Sequence, residues 1–425
     1  MSSEGEGGGR NGGPHDHSDT EPGKVDLEHP ENTPRVDASQ IQAGQKPLDE
    51  GRRRTESASR GSTSGTSQNS GDDHDRGGAA TSDRPAANGH NIVGLKRDDY
   101  KGAPTTLCAG CGHNAITNHI VRAFYEYGVE PYRLAKMSGI GCSSKAPAYF
   151  VSQAHGFNSV HGRMPSVATG AKLADRELVA VGISGDGDTA SIGLGQFCHM
   201  VRRNLNMVYI CENNGVYGLT KGQFSATSDM GAKAKTGEVN PFESIDICGL
   251  AIELGCTFVA RSFSGDGKQV VPLIQAALAH RGTAVLDIIS PCVTFNDHEG
   301  STKSYKYVKE HDIALQELDF IPYFENIEAD YEEGTTTDVQ LHDGSTIRLH
   351  KLASGEHNPK SRQDAMNVIH ESREKGEILT GLIFIDEAHP DLGTIERIPA
   401  RPLRDFTEQE LRPSRDAFAE LMQGY

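Results

Sequence analysis

Residues 185–222, GDGDTASIGLGQFCHMVRRNLNMVYICENNGVYGLTKG, constrain this chain more than any other stretch. Residues 178–184 (LVAVGIS) read as a strand that runs into a Gly-Asp-Gly-Asp turn. A helix starting near Thr189 follows, and residues 207–211 form a second strand whose end carries Asn213-Asn214. Strand, helix and strand in that order make parallel neighbours. Both polar ends therefore fall at the carboxyl edge of one sheet, where open α/β sheets bind ligands. An Asp carboxylate, an Asn amide oxygen and a nearby carbonyl are hard oxygen donors, suited to a Mg²⁺ ion that also holds phosphate oxygens. The glycines let backbone approach a diphosphate, and the helix start favours negative charge. A plain βαβ unit needs one polar residue at the turn, and two adjacent asparagines exceed that need.

The rest of the chain narrows the setting. Residues 1–99 hold no aromatic and no cysteine and are dominated by small and polar types. Such a segment buries too little apolar surface to offset its ordering entropy, so 1–95 is expected to be a disordered tail. No apolar run near Met1 suits a signal peptide. The tail histidines (His15, His17, His74) and the Arg52-Arg53-Arg54 triplet read as solvated tail. A net charge of −17 argues against a nucleic-acid partner. No stretch approaches the ~20 apolar residues that cross a bilayer. The eight cysteines do not have a secreted disulfide framework's pattern, so a cytoplasmic location is expected.

From 96 to 309 the text alternates strand and helix. Residues 112–127 are helical, with Ile116, Ile120 and Phe124 at fourfold spacing, and 270–280 make another helix. Short apolar strands are expected at 134–140, 179–184, 207–211, 258–261 and 285–290. This is the doubly wound α/β pattern with a mostly parallel sheet. Residues 310–425 read as a C-terminal extension of unknown purpose, with a hairpin around Asp343-Gly344 and a helix over 361–375.

Four cysteines stand where loops leave that sheet. Cys108 and Cys111 form CAGCGH before the first helix, Cys142 lies in GIGCSSK, and Cys292 follows the strand ending at Ser290. A bare C-x-x-C fits structural zinc, a redox disulfide or iron–sulfur ligation. Zinc recruits compact pairs and the other cysteines are singles far apart; a thioredoxin-like site lacks its fold context. Cys108, Cys111, Cys142 and Cys292 can instead converge, and four thiolates at one point suit a 4Fe–4S cluster. Cys198, Cys211, Cys248 and Cys256 sit among apolar neighbours and read as buried small hydrophobes.

GDG, a gap of 25 residues (188–212) and NN resemble the thiamine-diphosphate signature. With CAGCGH, SGIGCSSKAP, HGFNSVHGRMPSVATGAKLA, NNGVYGLTKGQFSATS and SPCVTFND, the chain from Leu107 to His298 resembles the β subunit of a 2-oxoacid:ferredoxin oxidoreductase, of the 2-oxoglutarate type. That family often has Trp-Cys-Pro where Leu107-Cys108-Ala109 stands here, which alters packing and removes no ligand. The resemblance implies a sheet of the thiamine-diphosphate-binding (PP-domain) type. It implies Mg²⁺ on Asp186, Asn214 and the carbonyl of Val216, and a 4Fe–4S cluster on Cys108, Cys111, Cys142 and Cys292. Ser143, Ser144, Lys145, His161, Gly185, Gly187, Asp188, Tyr217, Gly218, Leu219 and Thr220 then line the cofactor or substrate pocket, with Lys145, His161, Leu219 and Lys221 nearest the chemistry. His161 alone would more often be a satisfied core histidine; the motif makes it a donor to a diphosphate oxygen.

The implied reaction is oxidative decarboxylation of a 2-oxoacid with coenzyme A as co-substrate and ferredoxin as electron acceptor. The thiazolium ring is the electron sink, and a nearby cluster accepts electrons singly. The family places the activating glutamate on another domain, so an obligate α subunit is implied, in an αβ heterodimer or its dimer, with no membrane and no nucleic acid involved. Lys145 or Lys221 could pair with the distal carboxylate of 2-oxoglutarate, which pyruvate lacks; either could equally face solvent or a diphosphate oxygen. The alternatives are a pyruvate or broad-specificity enzyme of the same type, a non-oxidative thiamine-diphosphate decarboxylase or synthase, and a zinc-stapled regulatory protein.

Overall fold

The computed structural model describes residues 89–233, 237–294, 325–342 and 346–424. Most of the expected tail lies outside them. Its last residues are anchored: the Asn91 side-chain amide donates to the Tyr100 hydroxyl (2.8 Å) and to the Tyr125 carbonyl (2.9 Å).

Apolar alternation with period two sets the sheet. Along β4 (Met207–Asn213), Met207, Tyr209 and Cys211 face one layer while Val208 and Ile210 face the other. The strands β1 (Leu134–Ser138), β2 (His155–Asn158), β3 (Val179–Gly185), β4, β7 (Phe258–Phe263) and β8 (Thr283–Ile289) lie in the order β2-β1-β3-β4-β8-β7, every neighbouring pair parallel. Between β4 and β7 a small antiparallel hairpin, β5 (Val216–Tyr217) with β6 (Gln223–Phe224), stands apart from the sheet.

Helices cover both faces. On one side α1 (Gly112–Tyr127) packs Ile116, Ile120 and Phe124 onto Val181, Ile183, Val208 and Ile210. On the other side lie α2 (Met164–Ala174), α3 (Leu194–Arg202) and α4 (Ile247–Glu253), the second setting Phe197 edge-on to Tyr209 with ring centroids 5.3 Å apart. The helix α5 (Gly267–Ala279) returns to the α1 side with Val270 and Ile274. Each such fully enclosed side chain contributes about 1.5–3 kcal/mol by leaving water. Among the described residues no helix is long and apolar enough to cross a membrane.

The strand positions match the expected ones, most of them extended by one to three residues. The helix expected near Thr189 differs. Residues Gly187–Ile192 form a π-helical turn, and the α-helix starts only at Leu194. Gly193 separates the two, since any side chain there would collide with the Asp188 carbonyl and with Gly162.

Residues read as a C-terminal extension continue the same sheet. The strands β9 (Thr336–Gln340) and β10 (Thr346–Lys351) pair as the expected hairpin, whose turn residues 343–345 lie outside the described ones. The helix α6 (Arg362–Glu374) follows, and β11 (Ile378–Ile385), which the sequence reading did not mark, pairs antiparallel with β7 and parallel with β10. The sheet thus has nine strands in the order β2-β1-β3-β4-β8-β7-β11-β10-β9.

Candidate active site

Because β1, β3, β4 and β8 run the same way, the loops that leave their carboxyl ends meet at one edge. Those loops carry Cys142, Asp186, Asn214 and Cys292. A cleft at this edge is lined by Cys142, Ser143, His161, Gly185, Asp186, Gly187, Asp188, Asn214, Val216, Tyr217, Gly218, Leu219 and Thr220, all singled out from the sequence. Ser144, Lys145 and Lys221 do not line it.

Asp186 is the centre of the cleft's electrostatics. It is 1% exposed, and burial pushes its carboxyl up while hydrogen bonds from Ser225, Thr227 and the Asn214 amide pull it back. The Asn214 N–H donates to Oδ1 (3.2 Å) and the Thr227 hydroxyl to Oδ2 (2.8 Å). Asn214 in turn uses its own Oδ1 to accept from the Val216 amide (3.1 Å), an Asx turn that fixes the strand-to-hairpin bend. The Tyr217 hydroxyl donates to the Gly187 carbonyl at 3.0 Å, and its ring lies where a side chain at 187 would be. Only glycine admits that approach.

One carboxylate, one amide oxygen and backbone carbonyls make a hard-oxygen set of the kind Mg²⁺ takes with substrate phosphates. Among the described residues no group of three or more His, Cys, Asp or Glu is arranged to hold a metal ion. The oxygen set here contains a single residue of those types, Asp186, so it fits a diphosphate-bound Mg²⁺ and not a metal held by protein alone.

Asp188 is spent on structure. Its Oδ1 accepts from the Gly162 amide (2.8 Å) and contacts His161 Nδ1 (3.1 Å), while Oδ2 accepts from the Ser184 hydroxyl (3.1 Å). One buried carboxylate thereby pins the 159–162 loop to the end of β3. His161 is half exposed, and with Nδ1 on Asp188 it has Nε2 to offer a ligand.

The hairpin tip carries Leu219, Thr220 and Lys221, all exposed. Lys221 sits at φ 82°, a left-handed conformation sparsely populated by residues other than glycine. The turn is held by hydrogen bonds from Lys221 N to Gly218 O (3.3 Å) and from Gly222 N to Tyr217 O (2.9 Å). Lys145 lies in the short helical turn Ser143–Ala148, close enough to Cys142 for its charge to lower that thiol's pKa. Ser144 is buried beside it, its hydroxyl without a hydrogen-bond partner among the described residues.

Cys111 and Cys142 each lie within electrostatic reach of Cys108 and Cys292. Burial pushes the Cys111 thiol up to about 12, and negative charge on Cys292 or Cys108 would push it the same way. Cys142 is raised by burial, then by Cys292, with Cys108 also contributing. The Cys111 sulfur accepts from the His113 amide, and the Thr294 hydroxyl contacts the Cys108 sulfur at 3.7 Å. Each thiolate of a 4Fe–4S group binds a different iron, so sulfurs gathered more loosely than around one ion fit it. Thiols held protonated by burial ionise only when a cation compensates them. Elsewhere Cys211, Cys248 and Cys256 are buried in the core, and Cys198 is partly buried on α3.

Four further residues line the cleft, Ile140, Gly141, Glu212 and His113, and the sequence reading missed the two titratable ones. Glu212 is fully enclosed, neither carboxyl oxygen has a hydrogen-bond partner among the described residues, and burial raises its pKa well above the usual carboxylate range. His113, also enclosed, is lowered by burial to about 4 and bonds the Ser290 hydroxyl through Nδ1 at 2.6 Å. A charged residue one step before the Asn pair, in a strand otherwise apolar, was the available signal for Glu212.

Residues 139–288 match the family described as thiamine pyrophosphate enzyme, C-terminal TPP binding domain. The 2-oxoacid:ferredoxin oxidoreductase subunit beta of Saccharolobus solfataricus is 40% identical over 227 residues, covering 53% of this chain and 72% of that one. The 2-oxoglutarate synthase subunit KorB of Methanocaldococcus jannaschii is 36% identical over 217 residues, covering 50% and 80%. A solved structure, 2-oxoglutarate:ferredoxin oxidoreductase from Magnetococcus marinus with 2-oxoglutarate, coenzyme A and succinyl-CoA bound, superimposes with a TM-score of 0.59 at 31% identity, covering 77% of this chain and 96% of that one. With a thiamine-diphosphate cleft at the sheet edge and relatives of this likeness, the chain belongs to the 2-oxoacid:ferredoxin oxidoreductase β-subunit family.

Proposed function

We propose that this chain, joined to an α subunit, oxidatively decarboxylates 2-oxoglutarate with coenzyme A, yielding succinyl-CoA and CO₂ and passing two electrons singly through a 4Fe–4S cluster to ferredoxin. The observation that carries this reading is the common sheet edge. Asp186, Asn214 and Cys142 line one cleft, and Cys111 and Cys142 both feel the charges of Cys108 and Cys292. Two of the relatives described above are named for 2-oxoglutarate, which supports the choice of substrate.

Thiamine diphosphate supplies an electron sink for decarboxylation, and the cluster a one-electron acceptor beside it. The protein's part is to bind and orient. Asp186, the Asn214 side chain and the Val216 carbonyl hold Mg²⁺; Gly185 and Gly187 let backbone approach the diphosphate, and His161 offers Nε2 to a diphosphate oxygen. Gly218, Leu219 and Thr220 cover the cleft, and Leu219 limits water at the substrate end. Lys145, and Lys221 at the hairpin tip, give a distal carboxylate a cation to meet. Cys108, Cys111, Cys142 and Cys292 hold the cluster. The α subunit brings the carboxylate that activates the aminopyrimidine ring, and a spread of cysteines with no secreted disulfide framework suits a reducing cytoplasm.

The test is anaerobic co-purification with the α subunit, iron and sulfide analysis, and benzyl-viologen reduction across a panel of 2-oxoacids. A brown complex that prefers 2-oxoglutarate and requires coenzyme A is expected. A colourless, thiamine-bearing protein that releases CO₂ without reducing dye would overturn the reading, and turnover by this chain alone would remove the α-subunit requirement.

A further inference from the structure

We propose that Thr227 is a positioning residue for the divalent metal: its hydroxyl holds one oxygen of Asp186 so that the carboxylate keeps a single orientation toward the ion. The inference rests on the reading of Asp186 as a Mg²⁺ ligand.

Asp186 leaves β3 at the sheet edge, whereas Thr227 lies 41 residues later, beyond β6 and outside the sheet ladder. Their 2.8 Å contact is therefore a cross-link made by side chains alone. An unrestrained carboxylate rotates about its terminal torsion, which is broad, and here Thr227 shares the restraint with the Asn214 amide and Ser225. With Oδ2 occupied by the hydroxyl and Oδ1 steadied by the Asn214 amide, rotation is blocked while lone pairs on both oxygens remain for a cation.

Thr227 is itself set by a chain of polar groups that is partly buried at its ends and buried at Asp287 and Arg261. Its Oγ lies 3.1 Å from the Asn213 amide oxygen and 3.0 Å from the Ser225 hydroxyl. The Asn213 amide cannot flip freely, because Nδ2 donates to Asp287 Oδ1 at 3.0 Å. Asp287 Oδ2 accepts from Arg261 Nε (2.9 Å), and Arg261 Nη2 donates to Asp246 Oδ1 (2.7 Å), the N-cap of α4. The path thus crosses β4, β8 and β7, one rung per strand. A hydroxyl has one proton, so Asp186 and Asn213 compete for it; the shorter contact to the carboxylate, strengthened by charge, wins. Removing the hydroxyl loosens Asp186, while the Asn213 amide oxygen still accepts from the Gly215 amide at 3.3 Å. Groups that orient a ligand in this way typically change metal affinity by 10- to 100-fold.

The experiment uses the chain co-purified with its α subunit and stripped of metal and cofactor, with Mn²⁺ in place of Mg²⁺. Mn²⁺ binding is read by the loss of its free-ion electron paramagnetic resonance signal as thiamine diphosphate is added. Thr227→Val and Thr227→Ala, which lose the hydroxyl at different bulk, are expected to weaken Mn²⁺ binding about 10- to 100-fold, and Thr227→Ser to stay within about threefold of wild type. If either hydroxyl-free variant that folds binds like wild type, or if Thr227→Ser loses as much as they do, the positioning role is overturned and the functional reading stands. If the wild-type complex takes up no Mn²⁺ with thiamine diphosphate, the functional reading itself falls and this inference with it.

Discussion

Glu212 Oε2 lies 3.5 Å from His113 Nδ1, with both side chains enclosed at the junction of the cofactor cleft and the cysteine cluster. Burial drives both toward their neutral forms: the carboxyl is raised and the imidazole lowered. The contact is too long for a strong ion pair, and Nδ1 is already engaged with Ser290.

That arrangement gives the fold a pH signature. The unfolded chain protonates His113 near 6.5, whereas the native chain resists down to about 4. Stability supplied by the neutral imidazole is complete above 6.5 and is lost as pH falls toward about 4, by roughly 3 kcal/mol at about 1.4 kcal/mol per pH unit. Glu212 acts oppositely: its native form keeps a proton that the unfolded chain gives up near 4.5, so stability drains as pH rises above 4.5. Urea unfolding from pH 4 to 8 is expected to show the acid limb flattened in His113→Phe and the alkaline limb flattened in Glu212→Gln. Unchanged limbs would rule out the assignment.

The cysteines divide into two classes with different expected behaviour. Cys292→Ser, purified with the α subunit under argon, is expected to lose most bound iron and the brown colour, while Cys198→Ser keeps both. Iron per chain and visible absorbance check this. Iron retained in Cys292→Ser together with loss in Cys198→Ser would mean the wrong four sulfurs were chosen.

Substrate choice is tested at Lys145. Replacing it by Ile is expected to raise the KM for 2-oxoglutarate about tenfold or more while leaving that for pyruvate nearly unchanged, since only the former carries a second carboxylate. Steady-state dye reduction with both acids decides it, and equal effects would dismiss the lysine as a specificity group.

Arg261 stands between Asp246 and Asp287 with 9% of its side chain exposed. Arg261→Met leaves two carboxylates facing each other without a cation, and is expected to cost about 3–5 kcal/mol in chemical denaturation. Arg404→Ala breaks a pair whose arginine is 69% exposed, and less than about 1 kcal/mol is expected. Similar costs for the two would contradict the burial argument.

Much of the site was legible because its residues sit at strand ends, where polar text interrupts apolar text: GDGD after β3 and NN after β4 each mark a sheet edge. Cys142 and Cys292 follow strands in the same way, whereas Cys108 and Cys111 stand before α1 and were marked by their C-x-x-C spacing. What escaped depends on partners far away in sequence. Reading β4 as ending at Cys211 left Glu212 outside any element, and its enclosure comes from α1, a hundred residues earlier in the chain. Thr227 was visible only as part of a motif, since nothing local shows that its hydroxyl reaches Asp186. The strand ILTGLIFI at Ile378–Ile385 has an apolar run, yet pairing antiparallel with β7 is fixed by tertiary packing and not by period.

The seat of β11 against β7 bears on how this protein can be dissected. All six residues of β7 are enclosed, and β11 satisfies the backbone groups along its outer side. A fragment stopped soon after β8 would bare that row of N–H and C=O groups on the strand Phe-Val-Ala-Arg-Ser-Phe, a template for edge-to-edge aggregation. Crystallisation or biosensor fragments meant to retain the thiamine half therefore have to run at least through Ile385.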